Sequence, residues 1–151
     1  YQLMMELIDM CRSQDIEDIL YNPDVRERVV EYMEQAEPFK EQLKRCAKVD
    51  GNVVVLDLRE EETIHVGNRF MIYALFPEVN VSVHVIWGLR QQNTVFAIGK
   101  SITNRSSKSN IGALCLEYGG GGHENAGTMQ VENDDVVTRL EEVVARLKAD
   151  G

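Results

Sequence analysis

The chain has 151 residues, 44% of them hydrophobic and 27% charged, with a formal net charge of −9. That length supports one buried core with a helical extension and does not support two full domains. The acidic balance argues against a broad basic face on duplex nucleic acid, and neither a run of roughly 20 apolar residues nor a basic-then-apolar N-terminal signal occurs, so the expectation is a soluble cytoplasmic protein with no membrane partner.

An amphipathic pattern is already running at Tyr1, which suggests a piece of a longer protein. Leu3, Leu7, Ile8 and Cys11 recur at helical spacing, and residues 15–21 continue the helix. Asn22-Pro23 reads as an N-cap followed by proline at the first helical position. The second helix carries a stripe of Val25, Val29, Met33, Ala36, Phe39, Leu43 and Ala47, bent only at Pro38. Nothing in this opening third carries chemistry.

After Asp50-Gly51 the period changes. Val53-Val54-Val55-Leu56 predicts a strand buried on both faces, and residues 67–76 predict a short helix stopped by Pro77. Val79, Val81, Val83, Val85 and Trp87 alternate in one strand, Val95, Ala97 and Gly99 in the next, with a turn at Gln91-Gln92-Asn93. Residues 111–118 predict a helix and residues 127–132 a last strand. A final helix over residues 134–148 is expected to be capped by Asn133, with Val136, Val137, Leu140, Val143, Val144 and Leu147 inward. The sum is an α/β fold, a mixed sheet of about five strands flanked by helices and preceded by two helices.

Gly119-Gly120-Gly121-Gly122-His123 is the most informative stretch. Glycine loses more backbone entropy on folding than any other residue, so four in succession imply left-handed torsions or a close approach that a Cβ would block. A helix C-cap at Gly119 accounts for one or two of them, a tight packing turn is a second reading, and a backbone N–H site for an anion is a third. The last gains from charge: residues 88–123 hold Arg90, Lys100, Arg105 and Lys108 against Glu117 alone, net +3 inside an acidic chain. His123 could donate to a phosphate oxygen, and Arg105, among hydroxyls and amides, could fork onto one.

Other chemistry is thin. His84 reads as a sheet-face residue and His65 similarly; no paired histidines or Asp-x-Asp occur, so no metal site is expected in this chain. Asp57, Arg59, Glu60, Glu61 and Glu62 read as a solvated acidic run. Cys11, Cys46 and Cys115 are expected to be buried free thiols.

Ile111-Gly112-Ala113-Leu114, then Tyr118 to His123, then Ala126-Gly127 resemble the signature of the DHH-associated domain. This is the C-terminal substrate-binding module of the DHH (Asp-His-His) phosphoesterase superfamily, which includes nanoRNA and phosphoadenosine phosphatases, cyclic-dinucleotide phosphodiesterases and exopolyphosphatases. The resemblance covers residues 48–150 and implies that residues 48–151 form the substrate-binding domain. Residues 1–47 then form a helical connector from an N-terminal catalytic domain that holds two divalent metals, usually manganese. Gly120, Gly121, Gly122 and His123 match the family's phosphate-gripping motif, and Arg105 with Ser106 matches its arginine-serine pair.

The expected ligand is a phosphorylated small molecule, polyphosphate or a short single-stranded nucleic acid, bound without cleavage because the Asp-His-His half is absent from this sequence. The alternative is a stand-alone nucleotide or anion sensor, and a homodimer stays open. Lys108 is expected to join Arg105 and the glycine turn in one cleft. Gly121 is expected at positive φ, so that Gly121→Ala should weaken ligand binding more than Lys108→Ala.

Overall fold

Helical spacing of apolar residues in the first third produces α1 (Gln2–Ser13), α2 (Ile16–Tyr21) and α3 (Pro23–Cys46) in the computed structural model, which describes all 151 residues. The first helical pattern is interrupted because Gln14 is extended, with φ −125° and ψ 152°. Asn22 acts as foreseen before Pro23: its side-chain oxygen accepts from the Asp24 N–H at 3.0 Å and the Val25 N–H at 3.4 Å. Helix α3 continues through Pro38 and ends one residue before a strand that the helical stripe had absorbed, since Ala47 belongs to β1 (Ala47–Asp50). Helix α1 buries no residue, which leaves Cys11 exposed; Cys46 is half-buried and only Cys115 is buried.

The chain divides into two compact units, residues Tyr1–Phe39 with His65–Gly67, and Lys40–Ile64 with Asn68–Gly151. In the first, the Gln35 side chain accepts from the Val66 N–H at 2.7 Å, and Gly67 lies so close to the Phe39 ring that a Cβ would fall 2.1 Å from it. His65 sits in this loop and not in a strand.

The second unit is built on a six-stranded mixed sheet in the order β1-β2-β3-β4-β6-β5. Its members are β1, β2 (Val53–Asp57), β3 (Val81–Trp87), β4 (Thr94–Lys100), β5 (Gly121–His123) and β6 (Ala126–Val131). Only β2 and β3 are parallel, joined by a crossover that contains α4 (Met71–Leu75). The two strands that the sequence pattern misses lie at the edges. Lys48 and Asp50 disguise β1, and β5 is made of glycine and histidine.

Alternation along the strands sorts two faces. Val81, Val83, Val85, Phe96, Ile98, Met129 and Val131 face α5 (Ile111–Glu117) and α6 (Val136–Ala149), where they form the core with Ile111, Leu114, Val143 and Leu147. The three β3 valines are fully buried, each a contribution of roughly 1.5–3 kcal/mol. Asn110 caps α5 by accepting from the Ala113 N–H at 3.0 Å. Asn133 does not cap α6: its amide donates to the Gln91 carbonyl at 2.9 Å and its oxygen accepts from the Thr94 hydroxyl at 3.0 Å, so it braces β4 instead. Val137, expected inward, is 67% exposed.

Candidate functional site

The opposite face of the sheet carries the candidate site. Register places Ser82, Gly99, Ala126 and His123 in one row across β3, β4, β6 and β5, and His84, Ala97, Thr128 and Gly121 in the next. Helix α4 covers the β3 side of these rows. The Tyr73 hydroxyl donates to the Gly99 carbonyl at 2.7 Å and lies 2.8 Å from the Ser82 hydroxyl. Toward β5 no side chain in these rows is larger than threonine until His123, and a cavity of about 260 Å³ opens there. Arg69, Phe70, His84, Lys100, His123 and Asn125 are among its lining residues.

A second cavity of about 300 Å³ adjoins it, lined by Lys100, Ser101, Ile102, Asn104, Arg105, Ser107 and Asn125. Lys100, Ile102 and Asn125 line both. The wall of the second cavity is a loop folded around Ser101, whose hydroxyl oxygen accepts from the N–H groups of Thr103 at 3.2 Å and Asn104 at 3.0 Å. Arg105 reaches in with its Nε donating to the Ile102 carbonyl at 3.1 Å.

His123 is oriented by its own turn. The Asn125 N–H donates to Nδ1 at 3.3 Å, so the neutral ring carries its proton on Nε2. Lys100 is nearly enclosed, its side chain 11% exposed, and Glu124 stands 4.0 Å from Nζ. Burial pushes the His84 imidazole below its ordinary range and the Arg69 charge adds to the effect. A neutral ring thus forms the inner wall.

The glycine run is a helix cap followed by an edge strand. Gly119, at φ 78°, donates to the Leu116 carbonyl at 3.0 Å, and Gly120 donates to the Cys115 carbonyl at 2.8 Å, the paired bonds of a Schellman motif. These two N–H groups are spent on the fold. A Cβ on Gly120 would fall 2.1 Å from the Thr128 carbonyl oxygen, and one on Gly122, at φ 156°, 2.3 Å from that of Ala126. Gly112 in α5 completes the lock, its place for a Cβ lying 2.8 Å from the Gly122 carbonyl. Gly121 differs: it is not at positive φ and a Cβ there would meet nothing within 4 Å. The expected left-handed torsion belongs to Gly119 and Gly122. The glycines serve the site by drawing β5 against β6 and α5, which sets His123 beside Ala126.

Of the residues singled out by sequence, His123 and Arg105 line adjoining cavities. Ser106 lines neither; its hydroxyl accepts from the Asn80 amide at 2.8 Å and lies 2.8 Å from the Asn104 side-chain oxygen, bracing the loop. Lys108 also lines neither, and its N–H donates to the Asp150 carbonyl at 3.0 Å. Sequence reasoning missed Arg69, His84, Lys100 and Asn125 as site residues. Lys100 was legible in the cationic segment, whereas Arg69 and His84 reach the site only through the crossover and the strand register.

No group of three or more His, Cys, Asp or Glu side chains is placed to hold a metal ion. Two members of the acidic run are engaged in ion pairs, Asp57 with Arg59 at 2.7 Å and Glu61 with Arg45 at 2.8 Å. No helix is long and apolar enough to cross a membrane.

No protein-family model matches the chain, and no curated protein matches it. Among solved structures, a pGpG-specific phosphodiesterase, PggH from Vibrio cholerae, superposes with a TM-score of 0.90 at 54% identity, over 100% of this chain and 51% of that one. The chain therefore spans about half the length of PggH. An exopolyphosphatase-related protein from Bacteroides fragilis matches with a TM-score of 0.56 at 16% identity, over 99% of this chain and 44% of that one, which is a likeness of fold alone. The likeness to PggH supports a relation to the DHH phosphoesterases.

Proposed function

We propose that this chain is the substrate-recognition part of a metal-dependent phosphoesterase of the DHH superfamily, acting on short phosphodiester-linked nucleotides. One observation carries the reading. Lys100, His123 and Arg105 bring three phosphate-binding side-chain types to two adjoining cavities on a sheet face otherwise floored by small residues. In a partly enclosed site, charge-assisted hydrogen bonds of this kind gain strength from reduced solvent competition.

The division of labour follows from what the chain offers. It has donors and cations but no set of metal ligands, so the divalent metal, manganese by resemblance, belongs in this reading to residues outside the chain. There the metal would activate water. This chain binds and orients: Lys100 supplies a fixed positive charge, His123 a directed Nε2–H donor when neutral, and Arg105 a second cation from the loop. The identity with PggH favours a nucleotide ligand over inorganic polyphosphate.

Titration of the chain with a 5′-phosphorylated guanine dinucleotide tests the proposal. Lys100→Ala and His123→Ala are expected to weaken binding roughly tenfold each, on the scale of a charge-assisted hydrogen bond, with Lys108→Ala little changed. The chain alone is expected to release no product with manganese present. Equal losses from Lys108→Ala and Lys100→Ala, or metal-dependent hydrolysis by the chain alone, would contradict it.

A further inference from the structure

The cavity between α4 and β5 has a shape that phosphate binding does not explain. Its floor is Ala97 and Gly99 of β4 and Ala126 of β6, side chains too small to cover the backbone of these two adjacent strands. A flat strip of sheet is thus exposed beside Phe70 and Tyr73. At about 260 Å³ it lies below the roughly 300–1,000 Å³ of pockets for drug-sized molecules, enough for one ring system and not a whole dinucleotide. A bare phosphate would leave most of this apolar surface wet. Among its polar lining groups are Arg69, His84, Lys100, His123 and Asn125.

Arg69 is the distinctive one. Its guanidinium lies over the Phe70 ring, 4.9 Å from the centroid, and no carboxylate pairs with it. Stacking on the ring holds the planar fork while leaving its N–H edge available. An arginine fork matches the two adjacent acceptors O6 and N7 of guanine, whereas adenine presents an amino donor beside N7 and repels one arm of the fork.

Resting on the reading that this site recognises phosphorylated nucleotides, we infer that the cavity floored by Ala97, Gly99 and Ala126 receives a purine base, and that Arg69 selects guanine. The base lies on the sheet beside Phe70. Its phosphate then points toward Lys100 and Arg105, in the adjoining cavity that shares Lys100, Ile102 and Asn125. The buried, neutral His84 imidazole can both donate and accept, and so can meet a base edge without adding charge.

The test measures affinities of GMP, AMP and tripolyphosphate for the wild-type chain, Arg69→Gln and Ala97→Leu, with thermal unfolding as a check on folding. The inference expects GMP to bind roughly tenfold more tightly than AMP, and that preference to vanish in Arg69→Gln. It also expects Ala97→Leu to lose both nucleotides while keeping tripolyphosphate. Equal GMP and AMP affinity in the wild type overturns it, as does an unchanged preference in Arg69→Gln, whose exposed side chain the fold does not require. Binding of tripolyphosphate without either nucleotide overturns the base site and leaves the phosphate reading standing. Failure of all three ligands to bind overturns both.

Discussion

Alanine substitution along the glycine run separates what the fold needs from what a ligand needs. At Gly120 a Cβ would sit 2.1 Å from the Thr128 carbonyl oxygen and 2.7 Å from the Met129 Cα, more than 1 Å inside ordinary contact with backbone that cannot rotate away. Strand β6 would have to move, and overpacking of that kind costs about 1–3 kcal/mol or more. Gly122→Ala meets the same obstacle at 2.3 Å from the Ala126 carbonyl oxygen. Gly119 has open space but φ 78°, so alanine there costs about 1–2 kcal/mol of left-handed strain. Gly121 has neither problem, and Gly121→Ala should leave stability unchanged or raise it by up to about 1 kcal/mol through a less flexible unfolded chain. Urea unfolding followed by fluorescence of the single tryptophan, Trp87, reads these differences. With a slope of about 1–3 kcal/mol per molar urea, the Gly120→Ala midpoint should fall by about 1 M. Gly121→Ala unfolding as readily as Gly120→Ala would refute the reasoning.

Three further outcomes follow from the same geometry. Tyr73→Phe should destabilise by about 1–3 kcal/mol, because the Gly99 carbonyl and Ser82 hydroxyl lose their partner; a mutant as stable as wild type in urea would show that the bonds contribute nothing. Hydrogen bonds from Arg45 and then Gln42 lower the Glu61 carboxyl to about 2, so its stabilisation is complete above the ordinary value of 4.5 and is lost as pH falls toward 2. Glu61→Gln should therefore flatten the pH dependence of the urea midpoint in that window, and identical profiles would contradict the pairing. Burial first and the Arg69 charge second lower His84, so the unfolded chain takes up a proton near pH 6.5 that the folded chain refuses. Stability should decline as pH falls below 6.5, and NMR should find that Arg69→Gln moves the His84 midpoint upward; no movement would remove Arg69 from its neighbourhood.

The periodic elements were legible because their patterns are set by burial: the β3 valines, the α6 stripe apart from Val137, and the helix stopped before Pro77 reappear. The short edge strands were not. In β1 the alternation of Ala47-Lys48-Val49-Asp50 lasts only four residues and follows directly on the α3 stripe, and in β5 the pairing of Gly121 with Thr128 is written in backbone bonds that glycine does not advertise. Asn133 was misread because a capping residue and a bracing residue look alike until Thr94 and Gln91 are seen beside it. His123 could be found from its motif, whereas His84 and Arg69 become site residues only when the parallel crossover lays α4 over the sheet. The glycines drew attention for a phosphate, yet three of the four answer to the cap and to the packing of β5.

Amide chemical-shift mapping on the chain during titration with GMP tests the site most directly. The largest perturbations are predicted at Arg69, His84, residues 97–105 and residues 121–126, with Lys108 and α6 little affected. Saturable shifts centred on Lys108 and the C-terminal end of α6, or shifts spread evenly over the exposed cations, would contradict the assignment of the sheet face as the substrate site.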